Sequence, residues 1–141
     1  MNQAHVLIIE DVADIRDTLR DILEISGYRV STAENGEVGL RMIAEPDLPC
    51  VILLDLMMPV MDGWQVLEKL RGAQAAVLAG IPVIVLSGVA DRAKVDNLHR
   101  RFGCKVMSKP ADVDRLLEAV EGECARGQAF VPSEPGRPCR L

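Results

Sequence analysis

Val51-Ile52-Leu53-Leu54-Asp55 is four apolar residues in succession closed by a carboxylate, with Cys50 just ahead of it. Apolar side chains at consecutive positions, without alternation, suit a strand covered on both faces, as in a parallel sheet between two layers of helix. Val6-Leu7-Ile8-Ile9 and Val83-Ile84-Val85-Leu86 read the same way. Five strands are predicted in all: Val6–Ile9, Tyr28–Thr32, Cys50–Leu54, Pro82–Leu86 and Cys104–Met107.

Helical patterns fill the intervals. Ile15, Leu19, Ile22 and Leu23 form the stripe of a first helix, with Asp14 as its N-cap and Gly27 just past its end. Leu40 and Ile43 mark a second, opened by Asn35-Gly36 and stopped before Pro46, and Val66, Leu67 and Leu70 mark a third that opens near Trp64. Val95, Leu98 and Phe102 mark a fourth, ending at Gly103. Val113, Leu116, Leu117 and Val120 follow the i, i+3, i+4, i+7 rule for a fifth. Five βα units in a row predict an α/β fold, a flavodoxin-like doubly wound five-stranded parallel sheet of order 2-1-3-4-5 with five helices. In that order strands 1 and 3 are neighbours where the chain reverses direction, and ligands sit outside the carboxyl ends of the strands at that point.

A chain of 141 residues is one domain with a little left over. The domain is expected to span 1–121. Residues 122–141, with three Gly and three Pro, read as a helix end and a disordered tail, where Phe130-Val131 is at most a weak anchor. The formal charge of −5 argues against a nucleic-acid partner, and His99-Arg100-Arg101 reads as a solvated helix face. No basic region followed by an apolar stretch precedes Glu10, Asp11 and Asp14, so these first residues are not expected to be a signal peptide. The uncharged stretch Ala75 to Ala90 is shorter than the ~20 residues of a membrane span and is broken by Gly80, Pro82 and Gly88. Cys50, Cys104, Cys124 and Cys139 are widely spaced, without a CxxC pair, and are expected to be reduced thiols of a cytoplasmic protein.

The polar residues fall where the fold puts a site. Glu10 and Asp11 follow the first strand, Asp55 the third, Ser87 the fourth and Lys109 the fifth, so all collect at one sheet edge. Three adjacent carboxylates repel one another unless a cation intervenes. Oxygen ligands suit a hard ion such as Mg²⁺. A carboxylate can also act as a nucleophile and form an aspartyl phosphate, a reaction that chiefly requires positioning and neutralised charge.

Asp55-Leu56-Met57-Met58-Pro59-Val60-Met61-Asp62-Gly63 resembles the DxxMPxxDG signature of bacterial two-component response-regulator receiver domains. With it come Glu10-Asp11, Ser87-Gly88 and Lys109-Pro110 in family order, over roughly Ala4 to Val120. The resemblance implies that Asp55 takes a phosphoryl group from a phosphohistidine on a histidine kinase or histidine phosphotransfer protein. It implies Mg²⁺ ligation by Asp11, Asp55 and the Met57 backbone carbonyl, with Glu10 acting through a water. Ser87 would turn toward the phosphoryl oxygens and Lys109 would pair with them, aimed by a Lys109–Pro110 bond that is often cis in the family. The expected product is a phosphoprotein rather than an enzyme. It would signal as a stand-alone receiver through an unknown protein at the face of the fourth helix, fifth strand and fifth helix, or pass the phosphate onward. It would be a monomer or a phosphorylation-dependent dimer, with no membrane partner.

The match departs in two places. Family members usually carry Tyr or Phe where Val106 stands, so the signal is expected to travel through the loop after Ser87 and the fourth helix without an aromatic flip. Met57 and Val89 flank the site as an apolar pair, which would slow water attack on the acyl phosphate. A phosphorylation-independent scaffold with this fold is the alternative reading. A phosphatase with an aspartyl nucleophile fits poorly, because Met57 stands where a second acid would protonate the leaving group.

Overall fold

A computed structural model describes residues 4–44, 47–56, 61–73, 76–88, 92–109 and 112–129. Its elements run β1 (His5–Ile9), α1 (Ala13–Ile25), β2 (Arg29–Ala33), α2 (Gly36–Met42), β3 (Val51–Asp55), α3 (Gly63–Arg71), α4 (Ala76–Ala79), β4 (Val83–Ser87), α5 (Arg92–Phe102), β5 (Lys105–Ser108) and α6 (Val113–Ala129). The strands form one parallel sheet in the order β2-β1-β3-β4-β5, as the sequence predicts. Five of the helices are those the sequence predicts, four in the crossovers and α6 after the last strand. The sixth, α4, is a single turn within the uncharged stretch ahead of β4.

The unbroken apolar runs are explained by the two faces they serve. In β1, Leu7 and Ile9 join one core cluster and Val6 and Ile8 the other. In β3, Ile52 and Leu54 face the first cluster, Val51 and Leu53 the second. Val66, Leu67 and Leu70 of α3 and Leu98 and Phe102 of α5 cover the first side. Leu19 and Leu23 of α1 and Leu116, Ala119, Val120 and Cys124 of α6 cover the second. Burying an apolar side chain of this size contributes roughly 1.5–3 kcal/mol, which no exposed alternative for β1 or β3 could match.

Helix ends differ in detail from the sequence reading. Val12, not Asp14, is the N-cap of α1, without a side-chain cap bond, and Asp14 lies in the first turn, where a carboxylate favours the helix dipole. Asn35 does cap α2, accepting from the Val38 N–H at 2.9 Å. Ile15 and Val113, expected in the core stripes, are exposed. Both belong to the first turn of helices that start at the carboxyl edge of the sheet, where no strand remains to cover them. The last helix runs on to Ala129, while Phe130, Val131 and Cys139 lie outside the described residues.

Two glycines are required by geometry. Gly27 turns the chain out of α1 at φ +98°, a conformation that side chains with a Cβ rarely adopt. Gly63 opens α3 directly against the end of β3. A Cβ there would come within 2.8 Å of the Leu56 Cα and 2.9 Å of the Asp55 carbonyl oxygen. Asp62 ahead of it makes a reciprocal capping box with Gln65. Gly63→Ala is therefore expected to lower the urea midpoint by the equivalent of about 1–3 kcal/mol. Gly122→Ala, in a helical position with open space around it, should raise it by about 0.5–1 kcal/mol.

Candidate functional site

The carboxyl edges of β1, β3, β4 and β5 converge on one cluster of polar side chains. Asp55 and Ser87 prove to be the last residues of β3 and β4 rather than the residues after them, so the strand hydrogen bonds fix their backbones. Glu10 follows β1 directly and is tied back by its N–H to the Ala33 carbonyl at 3.1 Å. Lys109 follows β5, its N–H donating to the Ser87 carbonyl at 2.9 Å. Glu10 (1% exposed), Asp55 (6%) and Ser87 (6%) are buried polar groups, and Asp11 is half-buried.

The carboxylates of Glu10, Asp11 and Asp55 offer oxygens that all lie within 4.8 Å of one another. The Lys109 ammonium stands between two of them, 2.9 Å from Glu10 Oε1 and 3.1 Å from Asp55 Oδ1. The other Glu10 oxygen accepts the Val12 N–H at 3.2 Å. Burial, reinforced by the Glu10 and Asp11 carboxyls, pushes Asp55 up to about 7 against the pull of Lys109. Burial works to lower the Lys109 pKa, but the paired carboxylates outweigh it and the net shift is upward. The cluster holds more negative charge than one ammonium offsets, and its donors are all oxygens. That is the chemistry of a hard-cation site.

Among the described residues, Glu10, Asp11, Asp55 and Lys109 come together at one edge, and Ser87 ends the neighbouring strand β4 at that edge. Met57, Val89 and Pro110 lie outside the described residues, so the backbone carbonyl, the apolar neighbour and the peptide isomer named for them do too. Val106 is half-buried in β5, packed against the core opposite Val85. Phe102 is a core residue, its ring tilted against Trp64 with centroids 6.1 Å apart.

Three arrangements are absent from the sequence reading. Arg16, one turn into α1, donates to the Glu10 carbonyl at 2.8 Å and lines a cleft of about 250 Å³ with Thr32, Ala33, Glu34 and Val38. Its signal was a cation at i+4 from the cap, among the acids of α1. Arg71 is half-buried and donates to the carbonyls of Phe102, Ala79 and Ile81, tying α3 to the ends of α4 and α5. Cys50 and Cys124 form a disulfide, against the expectation of free thiols, while Cys104 is free and buried. A separation of 74 residues gave no hint of the pairing; only the packing of α6 on the start of β3 does.

A family model for the response regulator receiver domain matches residues 6–121. The chain belongs to that family. It is 33% identical to a probable transcriptional regulatory protein of Picosynechococcus over 94% of this chain and 53% of the relative. It is 36% identical to the transcriptional regulatory protein KdpE of Mycobacterium tuberculosis, over 92% and 54%. It thus spans about half the length of these curated relatives. Among solved structures, a CheY-like receiver domain protein from Methanospirillum hungatei superposes with a TM-score of 0.78 at 26% identity, covering 90% of this chain and 98% of that one. The receiver domain of a signal transduction histidine kinase from Syntrophus aciditrophicus gives 0.76 at 27%, covering 98% and 99%. Receivers of this family are phosphoacceptor signalling domains of two-component systems. Among the described residues no helix is long and apolar enough to cross a membrane.

A carboxyl that holds its proton more tightly folded than unfolded stabilises the fold as pH falls through its folded pKa, and that stability is lost as pH rises through it. Metal-free protein is accordingly expected to lose stability as pH rises through about 7, the Asp55 value. Asp55→Asn should flatten that dependence and raise the midpoint at pH 8, as read by urea denaturation with a chelator present. Added Mg²⁺ should restore wild-type stability at pH 8, and its affinity should fall below pH 7, where protons compete for the same oxygens.

Proposed function

We propose that Asp55 is the phosphoacceptor of this receiver and that it draws its phosphoryl group from a phosphohistidine on a histidine kinase or histidine phosphotransfer protein. What carries the reading is the Lys109 ammonium held 3.1 Å from Asp55 and 2.9 Å from Glu10, at the edge where three carboxylates converge. An Asp55 oxygen attacks phosphorus, the P–N bond breaks, and its electron pair returns to the imidazole nitrogen. Lys109 then faces a phosphoryl oxygen in place of a carboxylate oxygen. The Ser87 hydroxyl, at the end of the neighbouring strand, supplies a hydrogen bond to another. Charge stabilisation of this kind is where the protein's share of phosphoryl transfer lies.

The oxygen donors and their excess negative charge fit Mg²⁺, which Asp11, Asp55 and the Met57 carbonyl would hold directly and Glu10 through a water. When bound, the ion neutralises charge on the phosphoryl oxygens. The chain then acts as a switched phosphoprotein rather than an enzyme, since Met57 leaves no second acid two residues after Asp55. Output would pass to a protein partner at the face of α5, β5 and α6, or onward by phosphorelay. Its setting would be the cytoplasm, where phosphohistidine donors are made from ATP. The matched relatives are named transcriptional regulators, so control of transcription is an output that a receiver of this kind can serve. The net charge of −5 supports protein rather than nucleic acid as this domain's direct partner.

One observation favours a phosphorylation-independent scaffold: Val106, half-buried in the core, leaves no aromatic ring to turn inward. A single measurement separates the readings. Incubation with Mg²⁺ and acetyl phosphate should add the mass of one phosphoryl group, an adduct that fails to form in Asp55→Asn or when a chelator is present from the start. Ser87→Ala should slow its appearance on the order of tenfold to a hundredfold. No adduct with any donor would favour the scaffold, and turnover of phosphomonoesters would favour an enzyme.

A further inference from the structure

Cys50 and Cys124 lie 74 residues apart, yet the fold brings their Cα atoms to 4.7 Å and joins their sulfurs. That separation is within the range a disulfide spans without backbone movement. Cys50 stands one residue before β3, at the end of the strand opposite Asp55, with its N–H held by the His5 carbonyl at 2.7 Å. Its side chain is partly exposed, whereas Cys124, in the later turns of α6, is buried. The backbone at Cys50 is therefore set by the sheet whether or not the sulfurs are joined.

The link falls beyond the buried middle of α6. Leu116, Ala119 and Val120 bury the middle of the helix on the sheet. From Glu121 to Ala125 the single buried residue is Cys124. Gly122 lies in this stretch and Gly127 two residues after it, and glycine in a helix interior favours the unfolded chain. Among residues 121–125 burial is confined to the bridged cysteine, so the sulfur bridge adds directly to the attachment there.

We propose that Cys50 and Cys124 are a thiol–disulfide modification site, open in a reducing compartment and closed by low-molecular-weight disulfides, whose closing fastens the later turns of α6 to the start of β3. The Cys50 thiolate, the more exposed of the two, attacks one sulfur of the small disulfide and expels the other half as a thiolate. The Cys124 thiolate then attacks the Cys50 sulfur, closing the bridge and expelling the second half. Two electrons pass from the protein thiols to the small disulfide, and the two thiol protons end on the departing thiolates. Cys104 is the internal control: its thiol is buried, donates to the Leu98 carbonyl at 3.5 Å, and has no sulfur partner among the described residues. The site is independent of the phosphoacceptor reading.

The full chain equilibrated in glutathione buffers tests it. In oxidised buffer the full chain carrying Cys139→Ser, which removes the remaining thiol outside the described residues, should lose the mass of two hydrogens and retain no glutathione, and non-reducing digestion should yield the Cys50–Cys124 peptide pair. Amide exchange across residues 121–129 should slow on the order of tenfold or more relative to reduced protein, with β1 and β3 unchanged. Cys124→Ser should hold exchange at the reduced level in both buffers, and Cys104→Ser should leave the contrast intact. Cys50→Ser, at a partly exposed position, gives the same readout should the substitution at Cys124 disturb packing. Glutathione retained on Cys50 without ring closure, a bridge through Cys104, or equal exchange in both buffers overturns the proposal.

Discussion

The Lys109 ammonium between Glu10 and Asp55 is the contact on which the arrangement of this domain depends. Two buried carboxylates with a third beside them are costly in a dry sheet edge unless a counter-charge meets them. The strand order makes the meeting demanding. Lys109 leaves the edge strand β5, and Glu10 leaves β1, with β4 and β3 in between. The gap is closed from both sides. The Lys109 backbone is drawn over β4 by its bond to the Ser87 carbonyl, while Arg16 and the Ala33 carbonyl hold the Glu10 backbone. A long, flexible cation then reaches where a shorter side chain would fall short.

The rest of the fold keeps that edge in register. Because successive residues of β1 and β3 are buried on opposite faces, a slip of one residue would exchange the two core clusters as well as displace Asp55. Gly63 adds a second lock. Its N–H donates to the Leu56 carbonyl at 2.9 Å, and its lack of a Cβ lets α3 begin in contact with the Asp55 backbone. The glycine of the motif thus serves packing behind Asp55 rather than chemistry in front of it.

The sheet and its charged edge were legible because both are written locally. Unbroken apolar runs mark doubly covered strands, and a polar residue at the end of each run marks the carboxyl edge. Strand ends were off by a residue, since an apolar count cannot tell that Asp55 and Ser87 still share ladder hydrogen bonds. Ile15 and Val113 were misplaced because helical periodicity does not know where the sheet stops. Arg71, Arg16 and the Cys50–Cys124 bridge were not legible at all. Each bonds to a backbone carbonyl or a sulfur chosen by tertiary packing, and no spacing rule encodes that choice.

The bridge also divides the pocket topologically. Joined at Cys50 and Cys124, the chain becomes a closed ring that contains Asp55, Ser87 and Lys109, while Glu10 and Asp11 sit on the open arm that precedes it. In an oxidised, unfolded chain Asp55 and Lys109 are confined to one loop and cannot drift apart as they could in an open chain. The two remaining carboxylates must be recruited from outside. Half of this site is therefore pre-gathered by covalent connectivity, and the other half is assembled only when β1 slides in between β2 and β3.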